Sequence, residues 1–225
     1  CGSGMTWSYT GTVVFVGPGT LQITSNGKTV GPIQISSTGS PTVELQDAFA
    51  SSGSITISGG TFTTNNFNVT ATSLSSSNSN TRTINLGSST VTLSAATAVE
   101  LSTGTNLTFN AGTSTIICSG TNVQINGTTT GGTGTTFHNV SLTNTTLTGP
   151  AVFGANTFNN LSIAGRTSAG VGAFRITANQ IVNGTLTLSA GTNATCRTFL
   201  FSSVIGETRT PVSYTHLTLP TILRV

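Results

Sequence analysis

The chain has 225 residues, 35% hydrophobic and only 5% charged, with seven Lys/Arg against four Asp/Glu and a formal net charge of +3. An ordinary globular domain carries roughly 25% charged residues, and a disordered one is usually charge-rich and poor in β-branched residues. Here Thr is about a fifth of the chain, which excludes that kind of disorder and points to strands. The basic residues Lys28, Arg82, Arg166, Arg175, Arg197, Arg209 and Arg224 are scattered, so the clustered footprint of a nucleic-acid partner is missing.

Residues 1–19 read as a fragment edge or a first strand, with Cys1 at an edge rather than a lipid-modified first residue. The apolar run "VVFV" at 13–16 is far short of the ~20 residues that cross a bilayer as a helix. From residue 20 onward, apolar-x-apolar pairs recur at short intervals. They are Leu21/Ile23, Ile33/Ile35, Val43/Leu45, Ile55/Ile57, Phe67/Val69, Ile84/Leu86 and Val91/Leu93. Leu107/Phe109, Val123/Ile125, Val140/Leu142, Leu161/Ile163, Phe174/Ile176 and Leu186/Leu188 continue the series. Each pair is the period-2 mark of a half-buried strand, and Gly, Asn, Ser and Thr between them supply turns. No stretch sustains a 3.6-residue period, so no helix is expected.

Internal repeats set the architecture. "TVGPIQI" at 29–35 aligns with "TFHNVSL" at 136–142 and "TFNNLSI" at 157–163. "GSITISGG" at 53–60 aligns with "GTLTLSAG" at 184–191, and "NLGSSTVTLS" at 85–94 with "NAGTSTIICS" at 110–119. Matching Ile84/Leu86 to Leu107/Phe109 gives an offset of 23 residues. This spacing predicts an all-β chain wound as a parallel β-helix or solenoid, with coils of roughly 20–25 residues. One coil cannot bury its own apolar face, so stacked neighbours must do it. Tandem β-sandwiches are the alternative, supported by the hairpin-type pairs Asn26-Gly27, Asn126-Gly127 and Asn183-Gly184.

Residues able to carry chemistry are few. The acids are Glu44, Asp47, Glu100 and Glu207. Glu44 alternates with inward Val43 and Leu45 and faces outward, while Asp47 reads as a turn carboxylate. That leaves no carboxylate pair for acid–base work. His138 aligns with Gly31 and Asn159, so its position reads as an exposed turn or strand-end slot, and it has no acidic neighbour in sequence to orient it. Cys118 reads as a buried thiol and Cys196 as a turn residue. A bridge between them is open but not required, and neither belongs to a CxxC or metal spacing. "GTTTGGTGTT" at 127–136 lacks the Lys of a phosphate loop. The expectation is a non-enzymatic chain with no catalytic residue, no cofactor-binding residue and no metal site.

The motifs "TFNNLSI", "NTRTINLGSSTVTLS", "NLTFNAGTSTII" and "VNGTLTLSAG" resemble repeat-rich parallel β-solenoid proteins of bacterial surfaces and phage structural proteins. The resemblance covers roughly residues 20–200 and implies an extracellular, cell-surface or virion segment. It brings no functional residue with it. The function it implies is structural or adhesin-like, with glycans or other surface polymers as partners. A phage tail fibre or spike, and a fragment of a carbohydrate-active β-helix enzyme, are the alternatives. No nucleic acid and no membrane span enter the reading.

The ending "PVSYTHLTLPTILRV" differs from every coil. Residues 212–221 resemble the translation of a transposase-type sequencing-library adapter, with Pro211 supplying its preceding bases. The chain therefore divides into an edge at 1–19, a solenoid at 20–210 and a non-native tail at 211–225. This division removes Tyr214 and His216 from the candidates and leaves an exposed coil edge near Phe199–Val204 as a surface for self-association.

Overall fold

Short alternating stretches, each two to seven residues between turns, are too short for long hairpins but can turn a corner and start a new side. The computed structural model describes residues 2, 4, 6, 8–146, 149–204, 206–208, 211–213 and 216–218. Among these residues there is no helix, and every pairing between strands is parallel. The chain is a parallel β-solenoid. Tandem sandwiches, which need antiparallel sheets, are excluded.

The first five coils have three sides. They run β1 (Val13–Phe15), β2 (Thr20–Ile23), β3 (Thr29–Val30), then β4 (Ile33–Ile35), β5 (Thr42–Leu45), β6 (Phe49–Ser51). The third and fourth are β7 (Ile55–Ile57), β8 (Gly60–Thr63), β9 (Val69–Ala71), and β10 (Leu74–Ser75), β11 (Arg82–Asn85), β12 (Thr90–Leu93). The fifth is β13 (Thr97–Glu100), β14 (Leu107–Asn110), β15 (Thr115–Cys118).

The next coils lose the middle strand. They are β16 (Gln124–Asn126) with β17 (Thr136–Leu142), and β18 (Ala151–Phe153) with β19 (Thr157–Ile163). Then β20 (Gly170–Ile176) leads into β21 (Gln180–Val182) and β22 (Thr185–Leu188), and β23 (Cys196–Ser202) into β24 (Pro211–Ser213) and β25 (His216–Thr218). Sheet A stacks nine strands from β1 to β23, sheet B five from β2 to β14, and sheet C eleven from β3 to β24, with β22 and β25 continuing β19 beside it. Nine stacked strands make eight coil-to-coil steps.

The registers correct several expectations. In sheet A the step is 19–22 residues over the first three coils and 24–27 over the later ones, wider than the expected 20–25. Ile84 stacks on Phe109 and Arg82 on Leu107, so the offset there is 25, not 23. "TFHNVSL" and "TFNNLSI" do stack, Thr136 on Thr157 and Leu142 on Ile163. "TVGPIQI" instead turns a corner between β3 and β4, because Gly31-Pro32 interrupts the strand. "GSITISGG" lies in sheet A and "GTLTLSAG" in sheet C. Residues 85–94 and 110–119 match residue for residue, Asn85 on Asn110 and Leu93 on Cys118.

Corners explain that last match. Gly87 and Gly112 both have left-handed φ, 54° and 59°, and a Cβ on Gly112 would lie 2.3 Å from the Gly87 carbonyl oxygen. Only glycine can stack on glycine at that corner. Of the six described non-glycine residues with positive φ, five are asparagines: Asn26, Asn65, Asn66, Asn106 and Asn122. Asn tolerates this conformation and bonds locally.

The core is one continuous cluster running along the axis, from Val30 to Leu186. Val43, Leu45, Ile55, Ile57, Ile84 and Leu93 are fully enclosed. Each such side chain contributes about 1.5–3 kcal/mol on burial. Phe67 is an exception to the inward pairs. It sits beside the Asn65-Asn66 turn and is 37% exposed.

Residues 211–213 pair with β21, and 216–218 with β22. A free sheet edge pairs through backbone groups and asks little of the incoming sequence, so this pairing is silent on where the segment came from. Tyr214 and residues 219–225, Arg224 among them, lie outside the described residues.

Candidate functional surface

Acids first. Glu44 projects outward from β5 between buried Val43 and Leu45. Asp47 points along the axis instead, to the coil before it. Its Oδ1 accepts the Ser25 N–H at 2.8 Å and its Oδ2 the Asn26 N–H at 2.5 Å. Burial opposes ionisation, but those backbone N–H bonds outweigh it and hold the carboxyl below its ordinary pKa. Asp47 is a clamp on the left-handed Asn26-Gly27 turn. Glu100 accepts the Ser102 N–H at 3.1 Å and the Asn126 side-chain amide at 2.5 Å. Each of these two carboxylates is therefore occupied in joining adjacent turns or coils.

His138 lies within β17, not at a turn. It is half-buried, and its Nδ1 is enclosed without a hydrogen-bond partner. Asn159 is its counterpart one coil on, as expected, but Gly31 is not. Cys118 and Cys196 are both free and buried. Burial pushes the Cys118 thiol up to about 12. Cys196 sits against Asn193, its Sγ 3.2 Å from Oδ1. No group of three or more His, Cys, Asp or Glu that could hold a metal ion occurs among the described residues.

Arg82 is the residue that sequence reasoning missed. It is fully buried at the start of β11. Its Nε donates to Ser76 Oγ at 2.8 Å, and its two terminal nitrogens donate to the carbonyls of Asn80, Thr105 and Thr103 at 2.7, 2.9 and 2.5 Å. Burial lowers its pKa, and the carbonyl cage solvates the charge that water would otherwise hold. The sequence signal was the position itself. Arg82 precedes Thr-Ile-Asn, one residue before an alternating outward Thr, and so had to point inward.

Outward positions form columns, one residue per coil. In sheet B one column is Thr20, Thr42, Thr61, Thr83 and Thr108, five threonines in register. Neighbouring strands place these side chains roughly 4.8 Å apart. None of their hydroxyls bonds to another described protein group, so all five are open to solvent or ligand. The adjacent column runs Gln22, Glu44, Thr63, Asn85, Asn110. There the amides are spent along the axis: Asn110 donates to Asn85 at 2.7 Å and Asn85 to Thr63 at 3.2 Å. Sheet C carries a second amide ladder. In it Asn139 donates to Thr115, Asn160 donates to Asn139, and the Thr185 N–H donates to Asn160.

These columns bind the coils together and present a low-charge field of hydroxyls and methyls. Comparison of the chain with family models, with curated proteins and with solved structures finds no match.

Proposed function

We propose that this chain is a non-enzymatic structural or adhesin-like segment of an extracellular bacterial surface protein, holding glycans or other surface polymers by many weak contacts. The observation that carries the reading is the sheet B column of five unpartnered threonine hydroxyls. A rigid row of identical donors and acceptors suits multivalent contact with a polymer, where linked weak contacts sum to useful avidity. Asp47 and Glu100, which acid–base chemistry would need, are committed to backbone and amide partners.

The test is a glycan array probed with the chain and with the triple variant Thr61→Val, Thr83→Val, Thr108→Val, which keeps the β-branch and removes the hydroxyls. Binding by the parent and its loss in the variant is the expected result. Turnover of a bound glycan, or binding unchanged in the variant, would overturn the reading. Sedimentation as a stable trimer would move the chain to a virion fibre.

Residues 211–225 are left out of this functional unit as the translation of a library adapter. Amplifying the source locus across Thr210 tests that. Genomic sequence running through the same codons on both sides would refute it.

A further inference from the structure

Charge is divided unevenly along the axis. Between Glu100 and Glu207 the chain has no acidic residue, while Arg166, Arg175 and Arg197 fall in that interval. Arg166 is buried. The other two project from the outer face of sheet A, on its last two strands.

Register fixes what surrounds them. β20 and β23 pair over seven positions, setting Val171 opposite Arg197, Ala173 opposite Phe199 and Arg175 opposite Phe201. All six alternate with enclosed or inward-turned neighbours such as Phe174 and Ile176, and so share one outer face. Val171 is 57% exposed, Phe199 52% and Phe201 43%. On β4 to β16 the same surface carries Gln34, Thr56, Ser75, Glu100 and Asn126 and no exposed ring, with Val14 before them on β1. A cluster of exposed rings on an otherwise polar, low-charge molecule marks a place of contact.

The cations there are unspent. Arg175 makes no side-chain hydrogen bond or ion pair with any described residue, and Arg197 uses only Nε, on the Ala194 carbonyl at 3.2 Å.

We propose that this face of β20 and β23 docks an acidic polysaccharide, a uronate-type chain. Phe199 and Phe201 lie on one strand with their rings on the same side. Ala173, beside Phe199, leaves a shallow step in which a sugar ring can lie flat on an aromatic face. The guanidinium forks of Arg175 and Arg197 stand at opposite corners of the face, and their geometry suits carboxylates. A second copy of this chain fits less well. Two such faces brought together would gather four arginines with no carboxylate among them, and six residues a side fall short of the 20–30 that a stable interface uses. Nucleic acid fits less well too, since two cations are few against the six to ten phosphate contacts of a typical binder. The proposal extends the adhesive reading to one ligand class at one end of the solenoid.

The experiment is affinity electrophoresis of the full chain through gels containing polygalacturonate, alginate or neutral dextran. Retardation in the two acidic gels and not in dextran is expected, weakening as salt is raised. The variants Phe199→Ala/Phe201→Ala and Arg175→Gln/Arg197→Gln each weaken binding at least tenfold. Because all four positions lie on the outer face, melting curves of the variants stay close to the parent. Equal retardation in dextran, insensitivity to the face variants, stronger binding to a single-stranded oligonucleotide, or a dimer that the face variants dissolve would each overturn the proposal. Binding to neutral glycans with none to the acidic polymers would remove this site and leave the adhesive reading standing. Failure on every carbohydrate would remove both.

Discussion

Coils one to five close their circuit with three short strands around a largely apolar interior that holds the buried Arg82, whereas the coils from β16 to β22 have no sheet B strand and carry a buried ladder of hydroxyls and amides. In the first region, the sheet B wall is Leu21, Val43, Phe62, Ile84 and Phe109, stacked in register. Sheet B stops at β14. The aromatic column nonetheless goes on, because Phe109 packs edge-on against Phe137 at 5.4 Å, and Phe137 stacks on Phe158 at 5.5 Å. Those two rings come from the extended front ends of β17 and β19, seven-residue strands that wrap the corner.

Behind them runs a buried polar ladder. Thr128 donates its N–H to Thr135 Oγ1, the Thr135 N–H donates to Asn156 Oδ1, and Asn156 Nδ2 donates to Gln180 Oε1. Gln180 in turn donates to the Gly154 carbonyl at 2.8 Å. The comparison teaches that one side of a solenoid can be replaced by a satisfied amide column, provided each member reaches the next coil. The later coils are also the longer ones, since a loop such as 127–135 must cover the span that a strand covers earlier.

Phe62→Ala attacks the first region, leaving a ring-sized cavity with few ways to collapse. A loss of about 3–5 kcal/mol is expected, read as a lower denaturant midpoint. In a quasi-one-dimensional stack the nearest coils suffer first. Hydrogen exchange should therefore rise most in β5, β8 and β11.

Asn156→Leu attacks the second region. It orphans the Thr135 N–H, at about 1–3 kcal/mol if no water reaches it, and takes one of two donors from each of the Phe153 and Gly154 carbonyls, which keep the Gly127 N–H and Gln180 Nε2. Exchange should rise in β17, β19 and β21 and stay low in β5 and β8. If both variants loosen the whole chain equally, the two regions are one cooperative unit and the contrast is merely geometric.

The smallest effects are titrations. Cys118 is protonated in the folded chain up to about 12, while an exposed thiol ionises near 8.5. The folded state holds the proton longer, so stability is full below the ordinary thiol value and declines as pH rises above it. Cys118→Ala flattens that alkaline slope from a lower baseline. Asp47 has the opposite sign. Its depressed pKa gives stability that is present above the ordinary carboxylate value and lost as pH falls toward the folded one. Asp47→Asn should remove that acid-side slope. Thermal melts across pH check both.

Legibility in the sequence followed the range of the interaction. Inward and outward positions were readable, because alternation is a property of the strand alone, and Val43, Glu44 and Leu45 lie as their order requires. The Phe67 exception came from a turn, where alternation no longer holds. Asp47 was readable as a turn residue, but not the turn it holds, which lies about one coil earlier in the chain. His138 was misplaced at a turn because "TVGPIQI" was aligned across a corner. The exposed face of β20 and β23 was visible only as an edge near Phe199–Val204, since its Arg partners come from register.

By itself the sequence determined a parallel all-β solenoid. Repeated alternation with Asn and Gly corners leaves each coil an apolar face that only another coil can cover. It also determined the two true stacks, 85–94 on 110–119 and 136–142 on 157–163, where identical corner chemistry enforces identical register. Tertiary structure alone decided which sheet each strand joined, where sheet B ended, that Arg82 turned inward to a cage of carbonyls, and which outward hydroxyls stayed free. A period of two says which way a side chain points, but the side of the coil it lies on depends on how many residues each corner consumes. That number is fixed by the fit of each turn onto the coil beneath it.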